Sequence, residues 1–384
     1  MAIEMQTAFT TEIDDAEDAL ADLFAQINLE QLKENSLAVV TCYYDFLETG
    51  VYAALAKRLP FDVLGCTAMA SAAEDDLGQY RLNLSILSSD DVSFTTVLTE
   101  PLVDADFAHS ITAGYEQARA KLEVDPVMLL AFFPLSFTLS ASDMLTALDS
   151  ACAGVPIFGS LPTGFNMNYD GCHVFLNGEA HPEKMALALL VGNHEPRFFV
   201  THIPSRNIRE ARFTVTESRD CVLYKVNDVP VREYLDSLGL QMSMTSRTTL
   251  PFMLYSLDAQ TPVAASVYGE NEDGSLLFGV PVPVGMTMAI GEVDPEGILS
   301  TGMDCLEQLL AADDKVGALL MPCISRYIML APNQDSEMIA VSETLHGKLP
   351  YALHYAGGEI CPIKDNKGMW RNHFHNFSFA ACVF

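Results

Sequence analysis

SLAVVTCYYDFLETGVYAALAKRLPFDVLG, residues 36–65, is the stretch on which the fold class turns. Ser36–Cys42 is a short apolar run of the kind that lies buried on both faces of a sheet. Gly50–Lys57 then has helical spacing, and Phe61-Asp-Val-Leu64 is a second buried run closed by Gly65. Strand, helix and strand in that order predict a βαβ unit and an α/β protein. The order recurs downstream as strand Val127–Phe133, a helix near Ser142–Cys152, and Val155-Pro-Ile-Phe158 before Gly159. The two stretches share a pattern rather than residues, an internal echo compatible with duplication.

Outward from these units, Ala16, Ala19, Leu20, Leu23 and Ile27 predict a first helix, with Asp14 and Asp15 at its positive end. Tyr80–Ile86 and Val92–Leu98, joined through Ser88–Asp91, predict an antiparallel pair, and a helix is expected over about Asp106–Lys121. Strands are expected at Cys172–Leu176, Met185–Val191 and Phe198–His202. The second half predicts strands near Val263–Tyr268, Ser275–Phe278 and Thr287–Ile290, then a helix over Asp294–Ala312 and a core strand Gly317–Cys323. A helix near Ser336–His346, a strand near Tyr351 and a last strand Phe374–Phe384 follow. At 384 residues the chain exceeds what one core supports. The expected class is α/β (mixed α+β), with two mixed-sheet domains and flanking helices. Boundary signals gather between Ile203 and Pro230, which gives domains 1–227 and 228–384, each expected to hold its own core.

Composition removes several functions. The 51 acidic residues against 21 basic ones leave a net charge of −30, a field that repels phosphate backbones and anionic lipid heads, so no nucleic-acid partner is expected. No lysine or arginine precedes Lys33, so the start lacks the basic region of a secretory leader, and a cytoplasmic location is expected. The longest apolar run, Val127–Leu135, carries Pro134 and is far short of a bilayer span, so no membrane insertion is expected. Nine cysteines with no C-x-x-C pair argue for reduced, buried thiols rather than a disulfide framework or a zinc ribbon. No glycine-rich phosphate loop follows any expected strand.

Four local patterns together resemble the FIST family of sensory modules. They are Leu64-Gly-Cys-Thr67; Val155-Pro-Ile-Phe-Gly-Ser160 followed by Val174-Phe-Leu-Asn-Gly178; Cys323-Ile-Ser-Arg326; and Gly358-Glu-Ile-Cys-Pro362 followed by Phe374-His-Asn376. The resemblance implies FIST-N and FIST-C parts that bind a small molecule, amino acids being the usual suggestion, with haem reported in some members. It does not imply catalysis, and since no kinase, cyclase, methyl-accepting or DNA-binding segment follows the second half, signalling through a separate output protein is expected. The chain departs from the pattern at Ala356-Gly357, where Thr and Tyr are common, and at Phe377-Ser378, where Gln-Thr is usual.

The motifs supply the candidate ligand-binding residues Arg326, Glu359, His375, Asn376, Cys66 and Thr67. Arg326 is a bidentate clamp for a ligand carboxylate, or else the partner of an internal carboxylate such as Glu359. Glu359 could take a ligand ammonium. Period-two alternation on the last strand sets His375, Phe377 and Phe379 on one face, where His375 could meet ligand or haem iron, or a backbone carbonyl. Cys66, after a strand and a glycine, has the place of a nucleophile and motivates the alternative of a cysteine-dependent amidohydrolase or transferase, although no paired base is visible. A non-catalytic scaffold is the remaining alternative. No catalytic residue, metal or cofactor is assigned.

Overall fold

The structure is a computed structural model that describes residues 3–103, 106–136, 138–166, 169–240, 250–255 and 262–384. Three six-stranded sheets repeat one plan. In the first, Asn35–Cys42 and Val63–Thr67 form a parallel pair, with Leu82–Ser89 antiparallel beside the earlier strand. The second has the same arrangement in Met128–Phe132, Ile157–Ser160 and Ala186–Gly192. The third has it in Ala318–Pro322, Tyr351–His354 and Phe379–Val383. Helices connect the parallel strands in each, as a parallel crossover requires.

Each unit also lends a hairpin to a neighbour. The pair Ser71–Ala73 and Asp76–Gly78 leaves the first unit to join Tyr351–His354 of the third. Val174–Leu176 and Glu179–His181 leave the second to join Val63–Thr67 of the first. Glu359–Lys364 and Trp370–His375 leave the third to join Ile157–Ser160 of the second. The exchange is cyclic, so no unit has a complete sheet alone. The echo visible between residues 36–65 and 127–159 is therefore part of a threefold repeat. In the first two units a glycine is required: a Cβ on Gly65 would lie 1.7 Å from the Val40 carbonyl oxygen, and one on Gly159 1.8 Å from that of Ala131. The third unit has Leu353 at the corresponding place, paired with Leu320, and so loses the marker.

The inner faces of the three sheets meet in a central core that includes Val39, Leu64, Leu130, Phe158, Leu319 and Ala352. The outer faces are covered by amphipathic helices: Ala16–Gln26 and Val51–Arg58 on the first sheet, Phe107–Arg119 and Ala141–Ala151 on the second, and Pro295–Leu310 and Ser336–Leu345 on the third. Fully burying each large apolar side chain in these layers contributes roughly 1.5–3 kcal/mol. A fourth, antiparallel sheet spans strands from Ile208–Arg219 to Thr287–Gly291 and shares a core with the second unit, where Phe213 and Val215 belong to one cluster with Leu129 and Leu187.

The mixed α/β class and a two-domain arrangement are as expected, but the packing corrects the expectation of a separate core in each half. Residues 71–78 complete a sheet of the second half, and residues 359–375 complete one of the first. The 203–230 stretch is built into the fourth sheet, and position 227/228 is a tight turn, with Asn227 and Asp228 both left-handed at φ 50° and 64°. Two strand readings are also corrected. Leu82–Ser89 and Val92–Leu98 do not pair with each other; the latter joins Ala186–Gly192 in the second sheet. The last strand is two strands in two sheets, broken at Phe377, which adopts φ 56°.

Candidate functional site

The three parallel pairs point the same way, and their carboxyl ends converge. Open α/β sheets characteristically present ligand sites at that end. The last inward side chain of each pair is polar: Cys66, Ser160 and His354, all buried. They meet at the centre of the molecule. Ser160 Oγ lies 2.9 Å from His354 Nε2, and Cys66 Sγ lies 3.9 Å from each of those atoms. Sheet register extends the cluster, because Ser160 faces Glu359 and Glu359 faces His375, while Cys66 faces Thr41 and Thr41 faces Asn83. Asn83 is buried with neither amide atom hydrogen-bonded.

Glu359 is fully buried. Its Oε2 accepts hydrogen bonds from the Ser378 hydroxyl at 2.6 Å and the Ser378 amide at 3.4 Å, whereas Oε1 has no partner of normal geometry. Burial pushes its carboxyl up to about 8, against the opposing pull of Ser378, the neighbouring Cys323 thiol and the charge of Arg326. An unpartnered buried carboxylate oxygen is costly, and most such groups in folded proteins find a donor.

Arg326 sits in the short helix Ile324–Met329 rather than at a strand end. All five of its N–H groups have acceptors inside the protein. Nε and Nη2 grip Glu337, the closest contact being 2.5 Å, and Nη2 also reaches the Ile298 carbonyl at 2.6 Å. Nη1 donates to Thr301 Oγ1 at 3.1 Å and the Phe377 carbonyl at 3.4 Å. Tyr355 completes the cage by donating to Glu337 at 3.1 Å. The internal carboxylate is Glu337, eleven residues along the chain, not Glu359.

His375 has both ring nitrogens engaged. Its Nε2 must donate to the Cys361 carbonyl at 2.9 Å, because a carbonyl can only accept, so Nδ1 accepts from His202 Nε2 at 2.9 Å. Burial holds both rings below the usual histidine range, His202 at about 4. Ligation of iron through His375 would first have to break this network. Asn376 pins the fourth sheet, its Oδ1 accepting from the Ser266 amide at 3.0 Å. Thr67 bridges to His173, accepting from its amide at 3.0 Å.

The structure thus brings Cys66 and Glu359 into one cluster with Ser160 and His354, gives Thr67, His375 and Asn376 structural bonds beside it, and turns Arg326 away toward Glu337. Ser160 was detectable in sequence, since it follows Gly159 as Cys66 follows Gly65. His354 carried no such mark. It stands where the base missing from the Cys66 reading would have to stand, but burial drives the Cys66 thiol well above its ordinary range and His354 down to about 3. Burial thus disfavours the thiolate and weakens the imidazole as a base. The cavity at this end, between Thr163, Tyr169 and Ile324, is about 10 Å³, room for a single water.

Comparison with known proteins gives a consistent picture of the chain as a whole. Residues 36–229 match the FIST N domain and residues 230–362 the FIST C domain. No curated protein matches. Among solved structures, one described as "Cyanuric acid hydrolase: evolutionary innovation by structural concatenation" aligns at 11% identity over 76% of this chain and 100% of its own, with a TM-score of 0.27. A cyanuric acid hydrolase from A. caulinodans aligns at 8% identity over 100% of this chain and 99% of its own, with a TM-score of 0.38. Similarity at that level bears on neither activity nor substrate.

Proposed function

The chain belongs to the FIST family, with both the N and C domains present, and from that premise we propose that it is a small-ligand sensor that acts through a separate output protein. The observation that carries the reading is Glu359, a fully buried carboxyl with one oxygen unpartnered at the meeting point of three sheets. A ligand ammonium or N–H group supplies what that oxygen lacks, and by stabilising the ionised carboxylate it removes the main penalty of burying it. The ligand class is an amino acid or a related small amine. Its carboxylate, where it has one, meets the neutral donors of Ser160 and His354, because the Arg326 guanidinium is already saturated. The space of only about 10 Å³ at this end means that binding needs the site to open, which is the kind of change an output partner can read.

The test is a thermal-shift panel of amino acids, the amines lacking their carboxylates, and the acids lacking their amino groups, on wild type and Glu359→Gln. At about a hundred times the dissociation constant, binding adds roughly 2.7 kcal/mol, which raises Tm by a few degrees. Amino acids and amines are expected to shift the wild type and the acids are not, with affinity falling more than tenfold in the variant. Equal binding of the acids, or an unaffected variant, would remove Glu359 from the site.

A further inference from the structure

The opposite end of the central core, where the parallel strands begin, holds a cleft of about 390 Å³ that no motif predicts. That volume falls within the range of small-molecule sites. Its floor is apolar, made by Ile3, Val316, Val383 and Phe384, of which Val316 is partly exposed and the other three are buried at the edge of the core. The His194 ring stacks on Phe384, with centroids 5.8 Å apart and planes 22° from parallel. His194 Nε2 is buried and has no hydrogen-bond partner.

The rim is unbalanced in charge. Glu195, Asp313 and Asp314 stand against one cation, Arg197, which is held by the Asp313 backbone carbonyl. With a net charge of −30 on the whole chain, the field at this mouth favours a cation. We propose that this cleft is a second ligand site, for a small aromatic amine whose ring lies on the apolar floor beside Phe384 and whose ammonium meets the Asp313, Asp314 and Glu195 carboxylates. The site is distinct from the Glu359 cluster, which lies at the other end of the strands.

Isothermal titration of the full chain with 2-phenylethylamine, and with phenylacetate as the anionic counterpart, tests the assignment. In the Glu359→Gln background, which silences the sensory site, the amine is expected to bind saturably at one site, and phenylacetate at least tenfold more weakly. Val316→Trp fills the cleft and is expected to abolish this binding. The paired exchange Asp313→Asn and Asp314→Asn should weaken it about fivefold or more. Both positions are exposed, and asparagine tolerates the left-handed φ of 52° at Asp314, so this variant keeps the fold. Glu359→Gln should leave the binding unchanged, which separates this site from the sensory one. Absence of amine binding in the wild type, full affinity in the folded Asn pair, or loss of binding in Glu359→Gln alone would each overturn the proposal.

Discussion

Arg326 shows how a motif can mark a residue whose partner and local structure the sequence does not give. Pairing with an internal carboxylate is one of the two sequence readings, but Glu359 is the candidate it offers, whereas the partner, Glu337, lies on a separate helix with no motif around it. Removing one member of a buried ion pair leaves the other charge stranded, typically at a cost of about 3–5 kcal/mol. Arg326→Ala is therefore expected to lower stability by about that much in urea unfolding while leaving ligand affinity, measured on the folded fraction, within a few-fold. Loss of affinity at unchanged stability would restore the clamp. Cys66 is the converse case, a residue that sequence placed well and whose chemistry its surroundings suppress. Its thiol is expected to resist alkylation in the native state, with modification detected by mass spectrometry only after unfolding. Rapid native labelling of Cys66 would show that the cluster opens and that a thiolate is accessible.

At the level of elements, the local units were readable and their partners were not. Apolar runs and helical periodicity report whether a segment is buried, and that information suffices for the parallel pairs, the long helix Pro295–Leu310 and the strands of the fourth sheet between Val263 and Gly291, but not for its strands Ile208–Arg219, Val222–Val226 and Phe252–Tyr255. Which sheet a strand joins depends on long-range contacts that leave no local trace, so Val92–Leu98 was assigned to the wrong neighbour. The Phe374–Phe384 run reads as continuous because every residue but His375 and Asn376 is apolar or small, yet one left-handed residue, Phe377, sends its two ends into different sheets. The glycines that close the first two units make the sharpest test at this scale. Gly65→Ala and Gly159→Ala drive a Cβ into a neighbouring backbone carbonyl, and each is expected to cost on the order of 3 kcal/mol or more, or to prevent folding. Gly347→Ala is the control, since it is left-handed but has nothing within 4 Å of its would-be Cβ, and about 1–2 kcal/mol is expected. Equal effects at all three positions, read from chemical denaturation, would argue that backbone strain and not close approach of strands sets the requirement.

Across the whole molecule, the cyclic exchange of hairpins ties the two halves of the sequence into shared sheets, so a nick at the Asn227–Asp228 turn is expected to leave two fragments that co-elute until denatured. The central core also concentrates titratable groups whose burial gives stability a defined pH dependence. His194, His202, His354, His373 and His375 are all held below the ordinary value of 6.5, His354 to about 3 and His194 and His202 to about 4. As pH falls below 6.5 the unfolded chain takes up protons that the folded chain cannot, so their contribution is present above 6.5 and is lost toward pH 4 and below. Glu359 has the opposite sign. Its folded value of about 8 lies above the ordinary 4.5, so the folded chain keeps a proton that the unfolded chain has lost, and its contribution is present below 4.5 and declines as pH rises to about 8. Below 6.5 the five histidines outweigh the one carboxyl; above 6.5 the carboxyl is left to act alone among these groups. Tm of the wild type should therefore peak near pH 6.5 and fall on both sides, steeply toward acid. Glu359→Gln should keep the acid limb and lose the decline between pH 6.5 and 8, and a saturating amine ligand should flatten the same limb by stabilising the ionised carboxylate. Parallel Tm profiles for wild type and variant across pH 5 to 8.5 would mean that Glu359 does not hold a proton in the folded chain, and the argument for an ammonium-binding site would lose its electrostatic basis.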